Sequence, residues 1–331
     1  MRRSLLRIAA ATTALATGIA LTACSSDDND GDSTGATASD GVFPTSVETK
    51  FGEITVDEAP QRVVALGWGD AEIALDLGVQ PVGATDWLGF GDDGVSPWND
   101  NSYDESPEIL GTDEVEYEKI AALDPDLILD TRSAGEQDVY DQLSDIAPTV
   151  SVPEGGDSFT TSWDTQVEMI AAALGVQDKG EELIGSVNDR ITEAKDANPE
   201  WGDKTASVVT KFGDGWGIYP EGDARMDLLV ALGFTQTDEV AEMADGSNFY
   251  IDVSEENIDR ADADVVVGFP IGFTTEEFEE DSTWQRIGAV QDGRGIVADE
   301  ELSQAISVGT PDAMIWAVGQ LEPKLAEAAA K

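Results

Sequence analysis

The 331-residue chain has no histidine and a single cysteine, Cys24. Each absence excludes a body of chemistry. Bare zinc, manganese or copper is usually held by His or Cys. A Ser–His–Asp triad needs an imidazole, and a disulfide needs a second thiol. Basic residues are scarce as well: 18 Lys and Arg stand against 68 Asp and Glu, for a net charge of −50. A field of that sign repels nucleic acid and anionic lipid, favours cationic or neutral ligands, and keeps a protein soluble. Long apolar runs are missing too. Residues 8–23, IAAATTALATGIALTA, are too short and too weakly hydrophobic for a spanning helix.

What is present at the N-terminus reads as a leader. Met1-Arg2-Arg3 and Arg7 give a basic start, the apolar run follows, and Leu21-Thr22-Ala23-Cys24 resembles a bacterial lipobox. The expectation is a signal peptide over 1–23, a lipidated Cys24, and a flexible tether over 24–41, whose SSDDNDGDSTGATASDG composition lacks the apolar side chains that ordering requires. Acyl chains would anchor the protein to the outer face of the cytoplasmic membrane without spanning it. Acylation also removes the only thiol.

The rest of the chain is long enough for two domains. SVETKFGEITV (46–56) suits a hairpin. RVVALG (62–67), PVGAT (81–85), DLILD (126–130) and TVSVP (149–153) read as strands, with helices at 70–78 and from Glu118 to before Pro125. Residues 163–198 hold two helical segments and no strand. The second places Leu183, Val187, Ile191 and Ala194 on one face. The α/β rhythm then resumes with TASVVTKF (205–212), ARMDLLVALG (224–233), DVVVGF (264–269), RGIVAD (294–299) and a last helix over about 311–329. The fold class is α/β: two three-layer lobes with mainly parallel sheets, 42–162 and 201–331, joined by linking helices over 163–200, the longer of them a rigid connector.

One phrase occurs twice. EKIAALDPDLIL (118–129) aligns without a gap on residues 256–267, with Glu118 on Glu256, Ile120 on Ile258, and Asp124 and Asp126 on Asp262 and Asp264. Together with APQRVVALGW, LDLGVQPVGAT, YDQLSDIAPTV and WQRIGAVQDGRGIV, in this order over nearly the whole mature chain, it resembles a substrate-binding protein of an ABC importer, of the group serving iron–siderophores, haem and cobalamin. The resemblance implies a binding protein, not an enzyme, that works as a monomer with an ABC permease dimer and its ATPase. It also implies that Glu118 and Glu256 dock one lobe each on the two permease halves. The bland account of either glutamate is a favourable charge in a first helical turn.

With no His or Cys for bare metal, a pre-chelated ion is the fitting ligand: the chelator supplies the donors and the protein supplies aromatic walls and polar anchors. Aromatic residues fall just beyond strand ends, where α/β clefts lie: Trp68, Trp87, Phe90, Trp98, Trp216, Tyr219, Phe269 and Phe273. Any one of them could equally be core packing. Arg132 and Arg225 are the candidate anchors for ligand oxygens; the alternative for each is a surface ion pair. Two arginines in so acidic a chain would balance a trianionic tris-catecholate poorly, which favours a ferric hydroxamate. No permanent cofactor or protein-held metal is expected. Haem or cobalamin binding, a carboxylate-based hydrolase and a purely structural cell-wall lipoprotein remain as alternatives. Two motif matches carry nothing. Gly89-Phe90-Gly91-Asp92-Asp93-Gly94 has acids where a pyrophosphate would lie. Gly31-Asp32-Ser33-Thr34-Gly35 lies in the tether of a chain without histidine.

Overall fold

The structure, a computed structural model, describes residues 41–331 apart from 92, 113 and 245–248. The expected signal peptide, the Cys24 lipidation site and the tether up to residue 40 lie outside the described residues. No helix among the described residues is long and apolar enough to cross a membrane.

The chain first makes an antiparallel hairpin, β1 (Thr45–Thr49) and β2 (Gly52–Val56). It then lays down β3 (Val63–Ala65), α1 (Asp70–Asp76), β4 (Gly83–Thr85), β5 (Glu108–Leu110), α2 (Tyr117–Ala122), β6 (Leu127–Asp130), α3 (Gln137–Ser144) and β7 (Thr149–Ser151). Five strands form one wholly parallel sheet in the order β5-β4-β3-β6-β7. Both faces are covered, which is why its strands read as unbroken apolar runs instead of alternating ones. Val63, Ala65, Leu127 and Leu129 point to a core shared with α1 and with α4 (Trp163–Ala173). Val64 and Ile128 point the other way, to Ile120 of α2 and Leu143 of α3. The first of the two helices over 163–198 is thus a layer of lobe one.

The bridging falls to α5 (Gln177–Ala197), 21 residues and about 30 Å long. Leu183 and Ile184 pack on the lobe-one core, whereas Val187, Ile191 and Ala194 belong to the lobe-two core. One apolar stripe therefore serves both lobes.

Lobe two contains β8 (Thr205–Phe212), β9 (Gly215–Tyr219), α6 (Ala224–Ala231), β10 (Thr235–Gln236), α7 (Asp238–Met243), β11 (Ile251–Val253), β12 (Val265–Ile271), α8 (Thr275–Glu279), α9 (Gly288–Gln291), β13 (Gly295–Val297), α10 (Glu300–Val308) and α11 (Pro311–Ala329). Its six-stranded sheet runs β11-β9-β8-β12-β13, with β10 beside the start of β8. β8, β10, β12 and β13 are parallel, and β9 alone runs against them, antiparallel both to β8 and to β11, which shares the direction of β8. This sheet is mixed. The sequence pattern missed the reversal because β8 and β9 are joined by a tight turn at Gly213-Asp214, which leaves no room for a crossover helix.

The lobes touch over a broad contact. Leu88, Phe90 and Trp98, from the long connection after β4, pack on the lobe-two core. The Trp98 ring lies 5.4 Å from Trp316 on α11, with Phe90 edge-on to Trp98 at 5.7 Å. Gly69 has φ 85, and a Cβ there would come within 3.1 Å of Thr310 in lobe two. Both the backbone angle and the close approach call for glycine.

Candidate ligand-binding cleft

Lobe one presents three stacked rings. The Trp68 and Trp87 rings lie 3.9 Å apart at 3°, and Phe159 stacks on Trp68 at 4.1 Å and 21°. Trp68 and Trp87 come from the turns that follow β3 and β4, at the C-terminal ends of parallel strands. Phe159 comes from the loop after β7, where it and Ser158 have φ 64 and 56. Such left-handed angles in side-chain-bearing residues are uncommon and cluster at functional sites. The Ser133 carbonyl holds Phe159 in place by accepting its N–H at 2.8 Å.

A buried carboxylate sets the position of the stack. Asp70, fully buried, accepts from the N–H groups of Gly67 at 3.1 Å and Thr131 at 2.9 Å, from the Thr131 hydroxyl, and from Gln166 Nε2 at 2.6 Å. The same Gln166 nitrogen donates to the Trp68 carbonyl at 2.8 Å, and the Trp68 N–H donates to the Arg132 carbonyl at 3.0 Å. Trp68 and Arg132 are therefore tied through one knot. Burial pushes the Asp70 carboxyl up, against the downward pull of its donors.

Arg132 is 5% exposed and has no carboxylate partner among the described residues. Its Nη1 donates to the Val308 carbonyl of lobe two at 2.9 Å, and its Nε donates to the Phe159 carbonyl at 3.3 Å. Burial pulls its pKa down to about 10, with Asp223 opposing and Arg225 adding to that shift. Arg225 is placed differently. It pairs with Asp223 at 2.8 Å, donates to Ser307 Oγ at 2.9 Å, and lies 4.2 Å over the Tyr219 ring. The two arginines approach one another from opposite lobes, and only one of them is neutralised.

Lobe two adds a hollow of about 450 Å³ lined by Phe212, Trp216, Tyr219, Phe249 and Tyr250 among others. Phe212 is 71% exposed, with its ring at the very end of β8. The other aromatic candidates are placed differently. Trp98 and Phe269 lie in the lobe-two core, 8% and 3% exposed. Trp216 and Tyr219 lie within β9, the strand that follows β8, and line the lobe-two hollow although nearly buried, with the Trp216 ring also packed on Phe278. Phe273 lies half-buried under Lys211 Nζ at 4.5 Å, and that lysine is ion-paired to Asp281 at 2.6 Å. Sequence reasoning missed Phe159, Phe212, Phe249 and Tyr250. Only Phe212, closing the apolar strand TASVVTKF, carried a usable signal.

Glu118 lies in the first turn of α2, and Glu256 in a 3-10 helix, Glu255–Ala261. Both are exposed, and neither carboxylate has an ion-pair partner among the described residues. Arg286 donates to the carbonyls of Glu255 and Glu256 at 2.8 and 3.2 Å, which fixes the backbone beneath the second glutamate.

Residues 63–302 match the model of a family described as periplasmic binding protein. The chain is 31% identical over 257 residues to the probable siderophore-binding lipoprotein YfiY of Bacillus subtilis, covering 73% of this chain and 75% of that one. It is 27% identical to the iron(3+)-hydroxamate-binding protein FhuD of the same organism, covering 87% and 88%. Among solved structures it is similar to Streptococcus pneumoniae PiaA in complex with ferrichrome, with TM-score 0.73, 25% identity, and coverage of 86% and 99%.

Proposed function

The chain belongs to the periplasmic binding protein family, and from that premise we propose that it captures a ferric siderophore of hydroxamate type outside the cell and hands it to an ABC permease for iron uptake. The family is one of binding proteins serving transporters, not of enzymes. The observation that carries the proposal is the pairing of an aromatic stack with a buried arginine that lacks a counter-carboxylate: Trp87, Trp68 and Phe159 beside Arg132. A chelated metal is bulky and partly apolar, which suits flat aromatic walls, and its exposed oxygens suit a guanidinium. Arg225 is already balanced by Asp223, so the cleft offers little surplus positive charge. That supports a neutral or cationic hydroxamate complex over a trianionic catecholate. The relatives named for siderophore and iron(3+)-hydroxamate binding support the same choice.

In this proposal Cys24 carries the lipid anchor, the protein acts as a monomer, and Glu118 and Glu256 engage the permease, one from each lobe. Two like anchors would register a bilobed protein on a two-fold partner. The test is intrinsic tryptophan fluorescence against ferric hydroxamates, ferric catecholates, haem and cobalamin. Saturable quenching by the hydroxamates, with stoichiometric binding, is the expected result. Quenching by haem or cobalamin alone would overturn the assignment.

A further inference from the structure

Lobe one holds a second hollow, set apart from the hollow of lobe two. It opens at the C-terminal ends of β3 to β6 and measures about 230 Å³, several times the ~30 Å³ share of one water. Its lining includes the buried apolar side chains Leu110, Ile120 and Leu143, together with Trp68, Phe159 and Arg132 of the aromatic stack and its anchor.

Asp130, the last residue of β6, lines this hollow and is 6% exposed. Its Oδ2 accepts from Ser133 Oγ at 2.8 Å and from Ser151 Oγ at 3.4 Å. Its Oδ1 accepts no hydrogen bond, and no Lys or Arg pairs with it, among the described residues. Arg132, though close in sequence, spends its Nη1 and Nε on the Val308 and Phe159 carbonyls. Of the two glutamates at the rim, Glu116 is paired with Lys119 at 2.9 Å, and Glu136 is exposed with no ion-pair partner among the described residues. Burial, with Asp70 adding like charge, pushes the Asp130 carboxyl up to about 7. A buried carboxylate in that condition gains most from a cation brought to its free oxygen.

The hollow has the parts that an alkylammonium requires: a buried carboxylate, apolar side chains for the carbon stem, and aromatic rings in its wall. We propose that it receives a protonated primary-amine arm of the ligand, with Asp130 as the counter-ion. The proposal rests on the siderophore reading above and names a chemical class within it: ferric hydroxamates with a free terminal amine.

Ferrioxamine B and its N-acetylated form differ at that amine and serve as probes. Tryptophan-quenching titrations of the whole chain should show the free-amine complex binding at least tenfold tighter than the acetylated one. Asp130→Asn should bring the ratio close to one. So should Val139→Phe, which adds bulk to the wall of the hollow from α3 and keeps the carboxylate itself. Melting curves for each variant establish that it is folded. Equal affinity of the parent chain for the two complexes, or a ratio that survives Asp130→Asn, would overturn the ammonium pocket and leave the siderophore reading intact. Failure of both complexes to bind would overturn the two together.

Discussion

Arg132 of lobe one donates through Nη1 to the carbonyl of Val308 in lobe two, 2.9 Å away. The guanidinium that we propose as a ligand anchor is thus also a strut between lobes. Its neighbour Arg225 is held by Asp223 at 2.8 Å, within its own lobe. The two should respond differently to removal.

Arg132→Ala should weaken ferric-hydroxamate binding tenfold or more, since a charge-assisted bond is worth about 1.5–3 kcal/mol. Arg225→Ala should chiefly lower the melting temperature, because it strands Asp223 as an uncompensated buried charge. Quenching titrations alongside thermal melts separate the two effects. Unchanged affinity in Arg132→Ala would remove that residue from the site.

Glu118→Lys and Glu256→Lys should leave ligand affinity in solution as it is and impair iron uptake by cells, with the double variant worst. Both side chains are exposed, and in the proposed docking role reversal would set like charge against the basic partner surface that a glutamate anchor requires. A role confined to the helix dipole would show instead as a small stability loss, at most about 1 kcal/mol per site, with normal transport. Radiolabelled iron uptake by the double variant decides between them.

Stability should fall as pH rises from about 4 to about 7. The Asp130 carboxyl is raised to about 7 in the folded chain, against about 3.9 when unfolded. In that window the folded state holds a proton that the unfolded state has released, so each increment of pH favours unfolding, and the effect levels off above 7. Asp130→Asn abolishes this contribution. Its melting temperature should drop less than the parent's between pH 4.5 and 8. Identical pH slopes for the two proteins would show that Asp130 is not the group responsible.

Trp98→Ala should destabilise by about 3–5 kcal/mol, the usual cost of emptying a large aromatic site in a core. Its ring is 8% exposed against Trp316. A denaturant midpoint near the parent's would argue that the connection after β4 is not part of the lobe-two core.

The sequence foretold most of what periodicity can carry. The stripe Leu183, Val187, Ile191, Ala194 specified α5, and the apolar runs at 62–67 and 126–130 specified buried parallel strands. Trp68 and Trp87 were legible because α/β clefts lie past strand ends. The same rule singled out Trp216 and Tyr219, which do line a hollow, but from within a reversed strand that nothing before the turn at 213–214 announced. Trp98 could be assigned to core only once Trp316, more than two hundred residues later, was seen against it. Phe159 depends on a left-handed loop that no pattern announces. The second copy of the repeated phrase kept its alignment but folds as a 3-10 helix where the first makes an α-helix.

Leu88, Phe90 and Trp98 leave one lobe to rest on the core of the other. Parting the lobes would wet those side chains at about 25 cal/mol for every Å² uncovered, and would strain α5, whose stripe is rooted in both cores. Spontaneous gaping is therefore costly, and in the proposed binding role the time a captured complex dwells should depend on the mouth of the cleft more than on any swing of its walls. Emptying the cleft then takes outside leverage. A partner gripping the remote end of each lobe would have it, with α5 as the fulcrum.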